Sequence, residues 1–244
     1  MILTCMETIL MLIAAISPAV VLGYYTYKKD KLKQEPPREL LKAFGLGALS
    51  TVVSLFISIP LESLGFYSSE LNTFWKGVST AFFGAAIPEE IAKFMMFWLI
   101  VRRNRWFDEK MDGVVYASCV ALGFAALENI LYLASNFDSW VSVGITRAIL
   151  SVPGHFFFGI LMGYYYSLVR FSVSPSMKNK CMVLLAPILA HGIYNSLLFT
   201  MDIVPSLSLV LMVVFLYGVN KLRKIAVKKA EQHLMADASC IDNQ

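Results

Sequence analysis

Glu89, Glu90 and Lys93 stand within five positions of one another, inside an apolar run from Phe74 to Val101 and about a dozen residues from the nearest charged connector. A charge at the centre of a bilayer costs roughly 2.5–3.5 kcal/mol on insertion scales. Against a net stability of about 5–15 kcal/mol, a chain carries such groups only where something compensates or uses them. Two adjacent carboxylates at low dielectric cannot both ionise cheaply, so a proton is held between them. A carboxylate poised in that way can serve as a general base near neutral pH. Lys93 lies i,i+4 from Glu89 and i,i+3 from Glu90, within reach of both carboxylates.

Three later apolar runs carry groups of the same kind: Glu128-Asn129, then Pro153-Gly154-His155, then His191 with Asn195 at i,i+4. Counted by helix rise from the basic ends of their runs, Glu89 lies roughly 18 Å deep, Glu128 roughly 24 Å, His155 roughly 22 Å and His191 roughly 15 Å. One shared level predicts one polar cavity.

Glu89, Glu90, Glu128, His155 and His191 could equally supply an oxygen and nitrogen site for zinc, which keeps three protein ligands and a water in catalytic sites. The H-E-x-x-H spacing of helical zinc proteases is absent, which tips this reading toward metal-free glutamate catalysis with zinc or another divalent ion as the alternative. Plainer readings stand beside these. A lone membrane histidine often bonds a neighbouring helix, and Asn195 can act as interhelical glue. Glu89-Glu90-Lys93 could be a structural ion cluster, and Glu128-Asn129 taken alone is ambiguous. Arg147 lies nearer a surface and reads as a structural partner for Asp138 or Glu128. Asp112 reads as a helix N-cap.

The elements that must position these groups follow from composition. The 244 residues are 57% hydrophobic and only 16% charged, with a mean hydropathy of +0.64. Soluble domains run near a quarter charged. Apolar windows of the roughly 20 residues needed to cross a bilayer recur at about 6–27, 40–60, 74–101, 113–135, 140–169, 181–200 and 204–220. The expected fold is an all-α polytopic membrane bundle of about seven spans. It is one unit over 1–220 with a motif-bearing core at 75–200, followed by a basic cytoplasmic tail at 221–244. Eighteen of the 21 Lys and Arg fall in alternate connectors and the tail. The positive-inside rule then puts the N-terminus outside and the C-terminus in the cytoplasm of a cell-membrane protein. The expected partners are the lipid bilayer and a membrane-anchored protein, not nucleic acid.

Cys5, Cys119, Cys181 and Cys240 are scattered, which suggests neither a disulfide framework nor a thiolate metal site. Tyr24, Tyr25 and Tyr27 read as an interfacial anchor, and the linker around Pro36-Pro37 as partly ordered surface. Spans 1, 2 and 7 read as scaffold. Pro88 predicts a bend where its ring crowds the Gly84 carbonyl, and the small residues Gly84, Ala85 and Ala86 leave room for a neighbouring backbone. Gly159-x-x-x-Gly163 predicts a close helix contact. The tail reads as a basic helix on the inner leaflet, with His233 solvated.

Four motifs in register carry a resemblance. Glu89-Glu90-x-x-Lys93, Phe124-x-x-x-Glu128-Asn129, Gly154-His155 and His191-x-x-x-Asn195 resemble, in order and spacing, the pattern of the PrsW family of intramembrane proteases. That family is similar to the type II CAAX prenyl endopeptidases, whose pattern is E-E-x-x-x-R, F-x-x-x-H and H-x-x-x-N. Here Lys93 comes one residue early in place of arginine and Glu128 stands where a histidine would be, so PrsW is the nearer pattern. The resemblance implies cleavage of a membrane-anchored protein, as in site-1 cleavage of an anti-sigma factor. Peptide hydrolysis needs an activated water, a stabiliser for the oxyanion and an acid for the leaving amine. On that reading Glu89 is the expected base and can share a proton with Glu90, while Lys93 sets their charge. His191 and Asn195 would hold the oxyanion, with His155 and Glu128 orienting water or relaying the proton. A non-catalytic membrane scaffold of the same fold is the chief alternative. A proton-coupled transporter lacks support because no inverted repeat is visible, and a bis-histidine haem protein would be coloured.

Overall fold

The computed structural model describes residues 2–29, 33–214, 216–218 and 221. The tail expected beyond Lys221, with His233, lies outside the described residues. Among the described residues the chain is helical without strands: α1 (Ile2–Lys29), α2 (Pro37–Ser63), α3 (Phe74–Ser79), a π-helical segment (Thr80–Ala86), α4 (Ile87–Val101), α5 (Lys110–Ser135), α6 (Trp140–Ile149), α7 (Ser151–Arg170) and α8 (Met177–Phe199). Five helical stretches are long and apolar enough to cross a membrane, and a shorter apolar helix, α9, runs Pro205–Gly218. The chain is a multi-pass integral membrane protein. Two of the seven expected spans are interrupted, each for a local reason, and the last is short.

Pro88 explains the first interruption. Its missing donor and its ring would disturb an α-helix running through Gly84. The chain widens the turn ahead of it instead: the Ile87 N–H reaches back five residues to the Phe82 carbonyl, and α4 restarts with Pro88 in its first turn. Proline is harmless there, because first-turn donors have no helical partner. The small residues at Gly84 make room for the Tyr67 ring rather than the expected backbone. The span expected at 140–169 breaks at Leu150. Pro153 lacks the N–H that would have bonded the Ile149 carbonyl, so α6 and α7 are separate helices.

α5 is the axis of the bundle. Every residue from Met111 to Ala126 is buried. A helix covered on all sides belongs in a core. Its small residues let α7 come close, as the Gly159-x-x-x-Gly163 pattern predicted: a Cβ on Gly163 would fall on the Gly113 carbonyl oxygen, and one on Gly159 would lie 2.8 Å from that of Ala117. α1 and α2 turn Ile9, Ile13, Val21 and Phe56 outward, as scaffold helices facing lipid do. Asp112 caps α5 differently from expectation. Glu109 is the N-cap, and Asp112 is the third helical residue of a reciprocal capping box. The linker before α2 is fastened more firmly than a surface loop. Glu35 is buried and accepts from the Tyr116 hydroxyl, which also takes a 2.9 Å bond from Asn104, while Lys33 pairs with Asp108.

Candidate active site

The first turn of α4 delivers two carboxylates and its second an ammonium. Lys93 Nζ lies 2.8 Å from Glu90 Oε1 and 3.3 Å from Glu89 Oε2. The helical spacing alone allows this, because residues three and four apart share a face. Glu90 is fully buried, whereas the Glu89 side chain keeps 12% exposure. Beneath the ammonium lies the Phe124 ring, 4.0 Å away, an attractive arrangement in a desolvated site.

Two imidazoles close the cluster, and their partners dictate opposite tautomers. Lys93 Nζ also lies 3.0 Å from His155 Nδ1, and an ammonium can only donate, so Nδ1 accepts. His155 Nε2 then carries the proton and donates it at 2.9 Å to Glu128 on α5. His191 Nδ1 lies 2.9 Å from Glu90 Oε1, a carboxylate that can only accept, so here Nδ1 carries the proton. His191 Nε2 accepts from the Asn195 amide at 3.0 Å. Phe158 stacks on His191 at 4.7 Å, and a Cβ on Gly192 would strike the Phe82 ring of the π-helical segment. His191 is thereby wedged between two elements.

Arg147 completes the network from α6. It hydrogen-bonds Glu128, donates from Nε to Asn129 Oδ1 at 2.6 Å and lies over the Tyr132 ring at 3.9 Å. Its partner is Glu128, not Asp138. Asn129 turns away from the Glu89 and Glu90 side, donating to the Ala15 carbonyl of α1 at 3.0 Å. The structure thus gathers Glu89, Glu90, Lys93, Glu128, His155, His191 and Asn195 into one connected cluster, with Asn129 at its edge. Sequence reasoning quoted Phe124 within a motif without giving it a role, and passed over Phe158. Their spacing was a signal, since Phe124 is four residues before Glu128 and Phe158 three after His155.

Three carboxylates here face two fixed cations, Lys93 and Arg147, which leaves one formal negative charge. In a low-dielectric interior a proton or a metal cation must balance it. Glu89, Glu90, His155 and His191 can each offer one ligand atom, all within 4.8 Å of one another. Glu128 is not in that group. Glu90 Oε2 is buried with no hydrogen-bond partner, a cost that an ion or water would remove. Mixed carboxylate and imidazole donors of this kind suit zinc and similar divalent ions. The residues therefore fit a metal, although three of the four, Glu89, Glu90 and His155, now hold the Lys93 ammonium. Beside the cluster opens a cavity of about 360 Å³ whose wall includes Glu128, His155, His191 and Asn195.

Comparison with known proteins places the chain in a family. The profile described as PrsW family intramembrane metalloprotease matches residues 35–219. Protease PrsW of Oceanobacillus iheyensis is 37% identical over 213 residues, covering 85% of this chain and 94% of that protein. Protease PrsW of Geobacillus kaustophilus is 36% identical, covering 76% and 78%, and that of Bacillus subtilis 34%, covering 76% and 81%. No solved structure matches the chain significantly. With its multi-pass bundle and its buried carboxylate and imidazole cluster, this chain belongs to the PrsW family of intramembrane metalloproteases and is a protease.

Proposed function

We propose that the chain hydrolyses a peptide bond in a membrane-anchored protein of the anti-sigma-factor kind, using a water activated by Glu89. One observation carries this reading: the Glu89 and Glu90 carboxylates meet two histidines of opposite tautomer, and both histidines lie on the wall of a cavity. Of the two acids, Glu90 is locked. Lys93 and His191 both bond its Oε1, and nothing of it is exposed. The Glu89 side chain keeps 12% exposure and its Oε2 lies 3.9 Å from Nε2 of His191, a residue of the cavity wall. We therefore assign the base to Glu89 and the orientation of His191 to Glu90.

In this mechanism Glu89 takes a proton from water as the oxygen attacks the scissile carbonyl carbon. The Asn195 amide, which lies on the cavity wall and is aimed by His191, donates to the developing oxyanion. Such a donor is worth about 10²–10³ in rate. Glu89 then returns the proton to the leaving amine, with His155 and Glu128 able to relay it across the cavity. When a divalent ion is bound, Glu89, Glu90, His155 and His191 would hold it and it would supply Lewis acidity at the carbonyl. Lys93 would then have to leave the atoms it pairs with.

The test is cleavage of single-span proteins by the reconstituted chain. Glu89→Gln should lower kcat by about 10²–10⁴, the usual worth of a general base. Glu90→Gln should lower it through misplacement of His191. Undiminished cleavage by both variants would falsify the assignment.

A further inference from the structure

We propose that the groove between α1 and α2 is a binding site for one anionic glycerophospholipid of the inner leaflet, with an acyl chain lying in the groove and the phosphate held by Lys28 and Arg38. The two helices are consecutive in the chain, yet each packs chiefly on α5 rather than on the other. The gap between them measures about 460 Å³, within the range of ligand sites, about 300–1,000 Å³. Val20 and Gly23 of α1 and Leu41 and Phe44 of α2 line it, together with Cys119 of α5. A Cβ on Gly23 would meet only the Leu122 side chain, at 3.7 Å, so open space stands where a side chain would otherwise be. The groove faces the bilayer, since Val20 and Leu41 are both exposed. Such a gap fills with hydrocarbon, because the bilayer core holds no water and a void forfeits dispersion contacts.

The mouth of the groove decides which hydrocarbon enters. The groove runs from Tyr27 and Pro37 inward to Ala19 and Phe44, and the eight residues of α1 between Tyr27 and Ala19 rise roughly 12 Å. Its mouth therefore lies at the basic end of the bundle, which the charge pattern assigns to the cytoplasmic leaflet. There Lys28 Nζ lies 5.6 Å from the centre of the Tyr24 ring, and Tyr24 lines the groove. Arg38 follows Pro37 on the α2 side and is exposed. Among the described residues neither cation has a carboxylate partner, whereas Lys33 pairs with Asp108 and Lys42 with Glu39. Two such cations above an apolar slot match a molecule with a phosphate at one end and a hydrocarbon chain at the other. An unwound peptide would find no partners for its backbone along the apolar sides. The mouth is also held in shape. Glu35, three residues before Arg38, is buried and accepts from the Tyr116 hydroxyl of α5, which fixes where α2 begins and spares binding an ordering cost.

The site makes no use of the carboxylate and imidazole cluster, so its test is independent of cleavage. The full chain is placed in phosphatidylcholine vesicles holding a trace of phosphatidylglycerol with a diazirine in its acyl chain, or of phosphatidylcholine with the same chain. Labelled residues are mapped by mass spectrometry. A basic side chain beside an anionic headgroup contributes about fivefold, so the anionic probe should label residues 20, 41 and 44 about 25-fold more than the zwitterionic one. At Phe56, exposed on α2 outside the groove, the two probes should label alike. Lys28→Gln combined with Arg38→Gln, both on exposed side chains, should bring groove labelling by the anionic probe down to the phosphatidylcholine level and leave Phe56 unchanged. Gly23→Leu, which fills the gap, should remove groove labelling by both probes. Equal labelling of the wild-type groove by the two probes would make it a seat for bulk lipid and overturn the proposal. Preferential anionic labelling that survives the double variant would overturn it as well. So would chain-to-chain crosslinks from a photoreactive residue at 41 that exclude the lipid probe, since a second copy would then occupy the groove.

Discussion

Replacing Arg147 by Met tests the electrostatics of the site most directly. The guanidinium and Glu128 are 11% and 15% exposed, so the pair is nearly but not wholly removed from solvent. Truncating one partner of a buried ion pair costs about 3–5 kcal/mol, mostly because the other charge is stranded, and residual exposure puts this case near about 3 kcal/mol. Asn129 Oδ1 also loses its 2.6 Å donor, worth about 1–3 kcal/mol when the acceptor stays buried. These terms overlap, so Arg147→Met should destabilise the protein by about 4 kcal/mol. Adding Glu128→Gln removes the stranded charge and keeps an acceptor for the His155 Nε2–H. The double variant should therefore recover to within about 1–2 kcal/mol of wild type, the residue being the orphaned Asn129 oxygen. Unfolding free energies of both variants in bicelles measure this. Arg147→Met matching wild type, or a double variant less stable than the single, would refute the charge accounting.

Lys93→Met should cost at least about 10²-fold in kcat, since it frees both acids and leaves His155 Nδ1 without its donor. Lys93→Arg should not restore the rate, because a longer, planar guanidinium in this fully enclosed position cannot reproduce the three contacts of one ammonium nitrogen, at 2.8 Å to Glu90, 3.0 Å to His155 and 3.3 Å to Glu89. Gly163→Ala and Gly192→Ala should separate stability from activity. The first drives a methyl into the Gly113 backbone and should cost about 3 kcal/mol or more in unfolding free energy. The second meets the far edge of the Phe82 ring, which can yield, so its larger effect should be on kcat through His191. Finally, a divalent ion and the Lys93 ammonium would compete for Glu89, Glu90 and His155. Zinc titrated into Lys93→Met should bind about tenfold more tightly than into wild type by calorimetry, and unchanged affinity would remove Glu89, Glu90, His155 and His191 as the ligand set.

Much of this architecture was legible in the chain. Apolar run lengths announced the bundle because a bilayer imposes a nearly fixed span. The Glu89-Glu90-Lys93 cluster is a local property, since helical spacing puts the ammonium beside both acids wherever that helix packs. Gly159-x-x-x-Gly163 pointed to the close α5–α7 contact because only missing side chains permit it. The two breaks are different. Pro88 marked where a helix would be disturbed, but whether it would bend or widen depended on what packed around it, and the split ahead of Pro153 was not anticipated.

The same distinction separates the chemistry that residue types permit from the chemistry their arrangement selects. Counting along helices brought Glu128, His155 and His191 to a common level without saying which way each faced. Only packing sent Asn129 to the Ala15 carbonyl, joined Arg147 to Glu128 in preference to Asp138, and set the two histidines in opposite tautomers. It also distinguished Glu89 from its buried neighbour, although the two are adjacent in sequence. Periodicity fixes which residues share a face of one helix. The rotation of that face toward a partner is set by side chains far away in the chain, such as Phe82 against Gly192 and Phe124 beneath Lys93.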